Sequence, residues 1–502
     1  MIDIKKIKKK ISYLKLKNKK IVLCHGVFDL IHLGHINHFR EAKKYGDFLI
    51  VSITDDKFIK KGPGRPLFNK LQRAEFLKGI KIVDEVVVSN QESAVDMIKI
   101  IKPNFYVKGP DYKDNTKDKT KKIYLEKLLV KKYGGVIKYT SGETYSSSNL
   151  INSTNFALND VQKKFIDKLK KKYNFDEIVK IFNKFKSLKV LIIGELIIDQ
   201  YFFGSVIGKS GKEPHLVLSE KFNEKYLGGS AAIANHLSTF CKQISLISPF
   251  GFEKEYSSLI KKKLDKKVKT VFFKPTKLYN TIIKKRFVDQ ISNYKLFGSY
   301  ILPNNNENQN KTKISTFINN YNQKNSLIIV SDYGHHFIDN KLAKKIISNK
   351  NFLALTTQVN AANIGYHSLD KYYNADLLVV NENELRQELR DTTTDVKILL
   401  RKIIINKKIK NIIVTRGKHG AMLMNKNFKS FECPAFASRT IDKVGAGDTM
   451  LSITSLAVKL KLDPELALLL GSIGAAKSVE TIGNKESLSF DGLERTIEYL
   501  WK

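Results

Sequence analysis

Two stretches of the chain carry residue types at spacings suited to phosphate chemistry. The first is Cys24-His25-Gly26-Val27-Phe28-Asp29-Leu30-Ile31-His32-Leu33-Gly34-His35. It lies between the apolar run Ile21-Val22-Leu23 and a helix-like segment, residues 36–45, that closes on Gly46. That pattern reads strand, glycine turn, helix start. Backbone N–H groups at a helix N-terminus attract phosphate, and His32 and His35, three apart, add imidazole donors at the same place. Such a site holds a triphosphate and stabilises charge on it without forming a covalent bond. The second stretch is Asp442-Lys443-Val444-Gly445-Ala446-Gly447-Asp448-Thr449. Its glycines let successive N–H groups of Gly445, Ala446 and Gly447 point inward, and the apolar stretch from Met450 reads as a helix. This builds an anion hole for a transferring phosphoryl group. Asp448, at the same helix start, can take a proton from a hydroxyl nucleophile.

The elements that must position the first stretch follow in order. Residues 3–17, with Ile4, Ile7, Ile11 and Leu14 at helical spacing, read as an amphipathic helix packed on the domain. Residues 47–52 read as a second buried strand. Lys57, Lys60, Lys61 and Arg65 follow in a loop with Gly62, Pro63, Gly64 and Pro66, and these cations would close on a triphosphate. Asn69 is an N-cap for a helix to Lys78 that carries Arg73. Val86-Val87-Val88, Phe105-Tyr106-Val107 and Val136-Ile137 supply further strands, with helical segments between. Alternating strands and helices predict a parallel, doubly wound sheet, with ligands at the carboxyl ends of its strands. The opening motif, Ser52-Ile53-Thr54-Asp55 and Lys108-Gly109-Pro110-Asp111-Tyr112 all follow strands and converge on one crevice.

Residues 156–187 are polar, lysine-rich and helix-like, with a partial apolar stripe, and read as a helical connector. It divides a domain over residues 1–155 from one over residues 188–502. The second domain opens on Val190-Leu191-Ile192-Ile193-Gly194-Glu195, a buried strand running into a turn, with Asp199 available to bind hydroxyls. Gly228-Gly229-Ser230-Ala231-Ala232 and a helix through Asn235 follow. Ser331-Asp332-Tyr333 comes after the apolar run Ile328-Ile329-Val330, and Asn381-Glu382-Asn383-Glu384 after Leu377-Leu378-Val379-Val380. Ile412-Ile413-Val414-Thr415 leaves through Gly417 and Gly420.

The chain has 502 residues, enough for two or three domains. Lys and Arg number 88 against 49 Asp and Glu, a formal net charge of +39. The excess is lysine spread along the whole chain, without an arginine-rich tail or an aromatic-basic motif, so it does not mark a nucleic-acid binder. It does imply a salt-sensitive attraction to phosphate substrates. The three cysteines, Cys24, Cys241 and Cys433, form no C-x-x-C pair, which argues against a disulfide framework and a zinc site and fits a reducing cytoplasm. No run reaches the roughly 18 apolar residues of a membrane span.

The spacing G-x-F-D-x-x-H-x-G-H resembles the signature of the cytidylyltransferase-like nucleotidyltransferases. Val107-Lys108-Gly109-Pro110-Asp111-Tyr112-Lys113 and Gly64-Arg65-Pro66 with Arg73 are similar to segments in the bifunctional enzymes that make ADP-heptose for lipopolysaccharide. Gly142-Glu143-Thr144-Tyr145-Ser146-Ser147-Ser148 is similar to the serine/threonine motif of that family. The resemblance implies nucleotide-binding roles for Gly26, Val27, Phe28, Asp29, Gly34, Lys61, Arg65, Lys108, Asp111, Ser146, Ser147 and Ser148, with His32 and His35 catalytic. The stretch D-x-V-G-A-G-D resembles the second signature of the ribokinase-like carbohydrate kinases. That resemblance implies Asp448 as base. It puts nucleotide around Thr415, Gly417, Gly420, Gly445, Ala446 and Gly447, and Mg2+ at Asn381 and Glu384, through water. It puts the acceptor at Asp199, Gly228, Gly229, Asn235, Lys284, Arg286 and Asp332, with Thr281-Ile282-Ile283-Lys284-Lys285-Arg286 as a lid strand, and it implies a homodimer paired through that lid.

The expected architecture is therefore α/β throughout. A Rossmann-like nucleotidyltransferase is followed by a ribokinase-like domain with a β lid. The heptose enzymes place the kinase first, so the order here reads as reversed. They also carry an asparagine where this chain has Ala232, with Asn235 three residues later, and an aspartate-proline-lysine segment where it has Leu355-Thr356-Thr357-Gln358-Val359-Asn360-Ala361-Ala362-Asn363. Both departures fall on the acceptor side. The expected function is a cytoplasmic sugar kinase and sugar-phosphate nucleotidyltransferase that uses ATP and Mg2+, with ATP or CTP as nucleotidyl donor, and makes an ADP-heptose-like sugar. Its partners are small molecules, not nucleic acid or membrane. Two other readings stay open: a CTP-dependent polyol- or alcohol-phosphate cytidylyltransferase fused to a kinase of altered or lost activity, and a non-catalytic nucleotide or polyanion binder.

Overall fold

The computed structural model describes residues 4–59, 66–109, 122–140, 158–276, 279–290, 294–303, 312–321, 326–438 and 440–501. The chain forms two compact units, Met1–Asn159 and Asp160–Lys502.

In the first unit, strands β1 (Ile21–Gly26), β2 (Phe48–Thr54), β3 (Glu85–Ser89), β4 (Phe105–Lys108) and β5 (Val136–Tyr139) form one sheet in the order β3-β2-β1-β4-β5. Every pairing in it is parallel. Side chains of successive strand residues point to opposite faces, and β1 shows the result. Ile21 and Leu23 enter one core, while Val22 and Cys24 enter the other. A sheet buried on both faces needs this continuous apolar run. The amphipathic helix Ile4–Leu16 lays Ile7 and Ile11 on the first of these cores. Asn69 caps the helix Lys70–Lys78 in a reciprocal box with Gln72.

The second unit begins with two helices, Asp160–Lys170 and Phe175–Phe185, in the segment read from sequence as a connector. They pack on the second unit. Ile166, Leu169, Ile178, Phe182 and Phe185 are buried, Gln162 Nε2 donates to Ala435 O at 2.5 Å, and Trp501 Nε1 donates to Tyr173 O at 2.8 Å.

The strands that follow are β6 (Lys189–Gly194), β7 (Leu196–Lys209), β8 (Leu216–Gly229), β9 (Gln243–Pro249), β10 (Val268–Phe273), β11 (Ile282–Asp289) and β12 (Lys295–Ile301). After them come β13 (Ser326–Asp332), β14 (Phe352–Thr357), β15 (Leu377–Asn381), β16 (Asn411–Thr415), β17 (Ala421–Asn425) and β18 (Ser430–Cys433). Among the described residues they make a nine-stranded sheet, β10-β9-β6-β13-β14-β15-β16-β17-β18, and a four-stranded sheet, β12-β11-β7-β8. The large sheet is parallel from β10 to β16, and β17 and β18 are antiparallel. One residue, Glu195, separates β6 in the large sheet from β7 in the small one. β8 returns along β7 and runs through Gly229 into the helix Ser230–Leu237. Gly229 has φ +59°, and a Cβ there would lie 2.4 Å from Glu195 O, so the return needs glycine.

Candidate active sites

In the first unit the winding changes direction between β1 and β4, which opens a crevice above their carboxyl ends. β1 delivers Gly26 to it. A Cβ on Gly26 would come within 3.0 Å of the Phe28 ring, and Phe28 itself has φ +47°. His32 caps the helix Leu33–Lys43 in an extended conformation, and Gly34 and His35 lie in its first turn. The two imidazoles stack with centroids 3.9 Å apart, and Phe28 meets His35 edge-on at 5.3 Å. The paired histidines of the motif are thus brought together at a helix N-terminus. Burial pushes His32 below its ordinary value.

The remaining motif residues shape the turn. Both oxygens of Asp29 accept backbone N–H groups, from Leu67 at 2.9 Å and Phe68 at 3.0 Å. Arg73 is fully buried and ties four segments together. It donates to Val27 O at 2.5 Å, Thr54 O at 2.8 Å, Phe68 O at 3.0 Å and Asp56 Oδ1 at 2.6 Å. Asp29 and Arg73 therefore hold the motif from within. Lys108 is buried at the end of β4 and lies 3.4 Å from Glu126, whose oxygens accept from Ala94 N and Tyr106 OH at 2.9 Å each. Sequence reasoning missed Glu126, and its charge balances the lysine expected on phosphate. It also missed His25 and His38. His25 lies 3.1 Å from Ser52 Oγ and His38 3.1 Å from Thr140 Oγ1, and burial, followed by the charge of Lys108, pushes both down to about 4. Both imidazoles are neutral at pH 7. Lys61, Arg65, Asp111, Ser146, Ser147 and Ser148 lie outside the described residues.

In the second unit Asp448 sits in the first turn of the helix Ala446–Lys459, whose N-cap, Gly445, has φ +88°. A Cβ on Gly445 would lie 2.2 Å from Asn484 Oδ1, while Gly447 faces open space. Asp442, at the head of the loop, accepts from Tyr201 OH at 2.6 Å, Val444 N at 3.0 Å and Gly483 N at 3.1 Å, and pairs with Lys295. Thr449 Oγ1 donates to Gly445 O at 2.9 Å and lies 3.2 Å from His236 Nε2. His236 Nδ1 accepts from Leu488 N at 3.0 Å, which leaves the proton on Nε2.

Lid residues face this helix start. Arg286 NH1 donates to Asp199 Oδ1 at 2.5 Å, and a Cβ on Gly228 would lie 2.2 Å from Asp199 Oδ2. Lys284, opposite Asp199 in the β7–β11 register, is buried, and burial lowers its pKa. Burial, and behind it the charge of Asp199, pushes Asp448 up to about 7, while a hydrogen bond from Tyr333 and the charge of Lys284 act the other way. The structure thus brings Asp448, Gly445, Asp199, Gly228, Lys284 and Arg286 together.

Asn381 and Glu384 are the reciprocal cap of the helix Glu382–Leu389: Asn381 Oδ1 accepts from Glu384 N at 2.8 Å and Glu384 Oε2 from Asn381 N at 2.9 Å. Thr415 pairs with Asn381 across β15 and β16, and Gly417 (φ +56°) and Gly420 (φ +80°) make the turn beyond. Burial, and behind it the charge of Asp448, pushes Glu384 up to about 7. Two half-buried carboxylates that repel one another suit a hydrated divalent cation nearby. Among the described residues no group of three or more His, Cys, Asp or Glu could hold a metal ion, so such a cation would take its other ligands from phosphates and water.

Two expected acceptor residues have protein partners. Asn235 lies near the far end of its helix, donates to Lys263 O at 3.0 Å and accepts from Asp265 N at 2.9 Å. The Asp332 carboxylate takes Gly334 N at 3.0 Å, Tyr372 OH at 2.7 Å and Lys371 Nζ at 2.6 Å. Glu195 was unassigned from sequence, although it directly follows a buried strand. It is fully buried and accepts from Tyr333 N at 3.0 Å and His335 N at 3.2 Å. Burial, and behind it Asp332, pushes it up to about 7.

Residues 23–153 match the family model "Cytidylyltransferase-like", and residues 187–490 match "pfkB family carbohydrate kinase". Among curated proteins, the "Bifunctional protein HldE" of Campylobacter jejuni subsp. doylei is 44% identical over 115 residues, 22% of this chain and 25% of that protein. The protein of the same name in Helicobacter hepaticus is 39% identical over 140 residues, 28% of this chain and 27% of that protein. The chain thus spans about a quarter of the length of the curated relatives it matches. Among solved structures, phosphofructokinase-2 from Escherichia coli superposes with a TM-score of 0.51 at 15% identity, over 63% of this chain and 100% of that one. Ribokinase from Thermotoga maritima gives 0.50 at 18% identity, over 62% and 99%. These likenesses show the fold of the second unit. The matches give the order in this chain as cytidylyltransferase-like, then kinase, the order read from the sequence. With more than half of its length matched to one family model, and with Asp448 and its glycine loop at the helix start where the signature requires them, the chain belongs to the pfkB family of carbohydrate kinases.

Proposed function

We propose that the chain is a bifunctional enzyme that phosphorylates a sugar or sugar phosphate and joins a sugar 1-phosphate to a nucleotide. The observation that carries this reading is Asp448 in the first turn of a helix that opens on the left-handed Gly445, with Asp199 and Lys284 acting on its carboxylate. In the second unit an acceptor hydroxyl oxygen attacks the γ-phosphorus of ATP. The bond to the β-phosphate oxygen breaks, ADP leaves, and Asp448 takes the hydroxyl proton. Gly445, Ala446 and Gly447 hold the phosphoryl oxygens. Asp199, with Gly228, Gly229, Lys284 and Arg286 around it, holds the acceptor. Asn381 and Glu384 would hold hydrated Mg2+, which offsets charge on the phosphates.

In the first unit a sugar 1-phosphate oxygen attacks the α-phosphorus of ATP or CTP and expels pyrophosphate. His32 and His35, at the helix N-terminus, stabilise the charge that builds up. Lys61, Arg65, Lys108, Asp111 and Ser146–Ser148 belong to the same reading as nucleotide contacts. The product is a nucleotide-activated sugar of the ADP-heptose kind, destined for lipopolysaccharide or a surface polysaccharide. The reading places the chain in the cytoplasm, where ATP is available. Among the described residues no helix is long and apolar enough to cross a membrane. A homodimer through the lid sheet belongs to the same reading, and light scattering would test it.

A second reading has one observation in its favour: Asn235 and Asp332 are engaged by protein partners, so the acceptor side departs from the expected pattern. It makes the first unit a CTP-dependent polyol- or alcohol-phosphate cytidylyltransferase. One screen separates the two. ATP and CTP, each with Mg2+, are offered sugar 1-phosphates and polyol phosphates, and pyrophosphate is measured. Release from ATP with a heptose or hexose 1-phosphate is the expected result. Release only from CTP with a polyol phosphate would select the second reading. Binding of nucleotide without release from either would overturn both.

A further inference from the structure

The turn Asp332–His335, at the end of β13, is held through its backbone and through the Asp332 carboxylate. Glu195 takes the N–H groups of Tyr333 and His335. Asn360 Nδ2 and Asn363 Nδ2 both donate to Tyr333 O at 2.9 Å. Asp332 closes the turn through Gly334 N and is itself fixed by Tyr372 and Lys371. Gly334 has φ +69°, and a Cβ there would lie 2.2 Å from Asn363 Nδ2. What this brace presents is one hydroxyl. Tyr333, itself buried, donates to Asp448 Oδ1 at 2.5 Å. A Cβ on Gly229 would lie 3.2 Å from the Tyr333 ring, so the ring is packed from the lid side as well.

We propose that Tyr333 is a positioning residue for phosphoryl transfer: its hydroxyl occupies Oδ1 of Asp448 and leaves Oδ2 to take the proton of the acceptor. The inference rests on the reading of Asp448 as base. An ionised carboxylate has two equivalent oxygens and rotates between them, and a fixed donor on one of them sets the plane of the other. Burial pushes the Tyr333 hydroxyl well above its ordinary value, so it keeps its proton and stays a donor. The other charged groups acting on Asp448 are Asp199 from β7, Lys284 from β11 and Glu384 from the helix Glu382–Leu389.

The test uses the full chain as wild type, Tyr333→Phe and Asp448→Asn. ADP release from Mg-ATP is measured with a heptose 7-phosphate as probe acceptor, giving kcat and KM across neutral pH. In parallel, the Asp448 carboxyl carbon is titrated by NMR in aspartate-labelled protein and assigned by its loss in Asp448→Asn. Tyr333→Phe is expected to lower kcat about ten- to a hundredfold, as for loss of a hydrogen bond to a charged group. KM values should stay within about twofold. The acidic limb of kcat and the Asp448 titration should both move to higher pH, because a donor that favours the carboxylate is gone. Unchanged kcat would overturn the proposal, as would kcat and KM changing together while the titration stays put. No ADP release by the wild type would remove the proton-transfer role along with the kinase reading, and the titration would then report whether Tyr333 still holds Asp448. If Tyr333→Phe does not fold, Asn360→Ala takes its place. It loosens one brace, and a smaller fall in kcat with the same direction of titration is expected; no fall would overturn the proposal.

Discussion

Asp448 is pushed up to about 7 by burial first and by Asp199 second, and that fixes a pH limb. A general base works when ionised, so kcat for phosphorylation should rise as pH climbs through about 7 and then level off. A limb near the ordinary carboxylate range, about pH 4, would contradict this. Gly445→Ala should also fail. The residue needs φ +88°, and its Cβ would meet Asn484 Oδ1 at 2.2 Å. We expect at least a tenfold fall in ATP-dependent phosphorylation with the fold retained by circular dichroism, since the strain of about 1–2 kcal/mol falls on the anion loop. At this scale the sequence revealed residue types and not their partners. The paired histidines and Asp448 are legible because backbone geometry at a helix start constrains them. Asn235, Asp332 and Lys108 are not, because what decides their role is a long-range contact: Asp265, Tyr372 with Lys371, and Glu126. Glu195 escaped for the same reason, since its two hydrogen bonds reach residues more than a hundred positions away.

Elements were easier to read than their residues' roles. The apolar runs of β1, β2, β3, β4 and β5 appear where periodicity put them, and Asn69 caps its helix as its position suggests. The lid hairpin was less visible. β7 and β8 carry polar residues on an exposed face, and their pairing depends on register across a turn rather than on an apolar run. Arg73 shows how one side chain couples elements. It reaches the carbonyls of Val27, Thr54 and Phe68 and the carboxylate of Asp56 from a fully buried position. Arg73→Met would leave those acceptors without their donor, and breaking such a buried set costs about 3–5 kcal/mol. We expect the first unit to unfold at markedly lower urea, and pyrophosphate release to be lost with it. Unfolding at the wild-type midpoint would show that the guanidinium is dispensable.

For the molecule, the two-unit division predicts separable activities. Asp448→Asn should abolish phosphorylation and leave pyrophosphate release from a supplied sugar 1-phosphate, and His35→Ala should do the reverse. Loss of both activities from either change, in folded protein, would refute the two-site model. The structure also fixes where the second unit begins. Removing residues 160–187 would strip away Ile166, Leu169, Ile178, Phe182 and Phe185, all buried. It would also remove the pairs Lys168–Glu465 and Lys172–Asp463. At about 2 kcal/mol for each apolar side chain, the loss of about 10 kcal/mol equals the whole stability of an ordinary domain. A chain starting at Leu188 should therefore be insoluble or molten, whereas one starting at Asp160 should melt cooperatively.

The single-residue passage from β6 to β7 at Glu195 has a consequence for descent. It places the proposed acceptor groups Asp199, Lys284 and Arg286 on the small sheet, while the proposed phosphoryl-transfer base grows from a helix packed on the large sheet. Substitutions on the small sheet can alter what is phosphorylated without rebuilding how. Lineages with this architecture are free to change diet while keeping their engine.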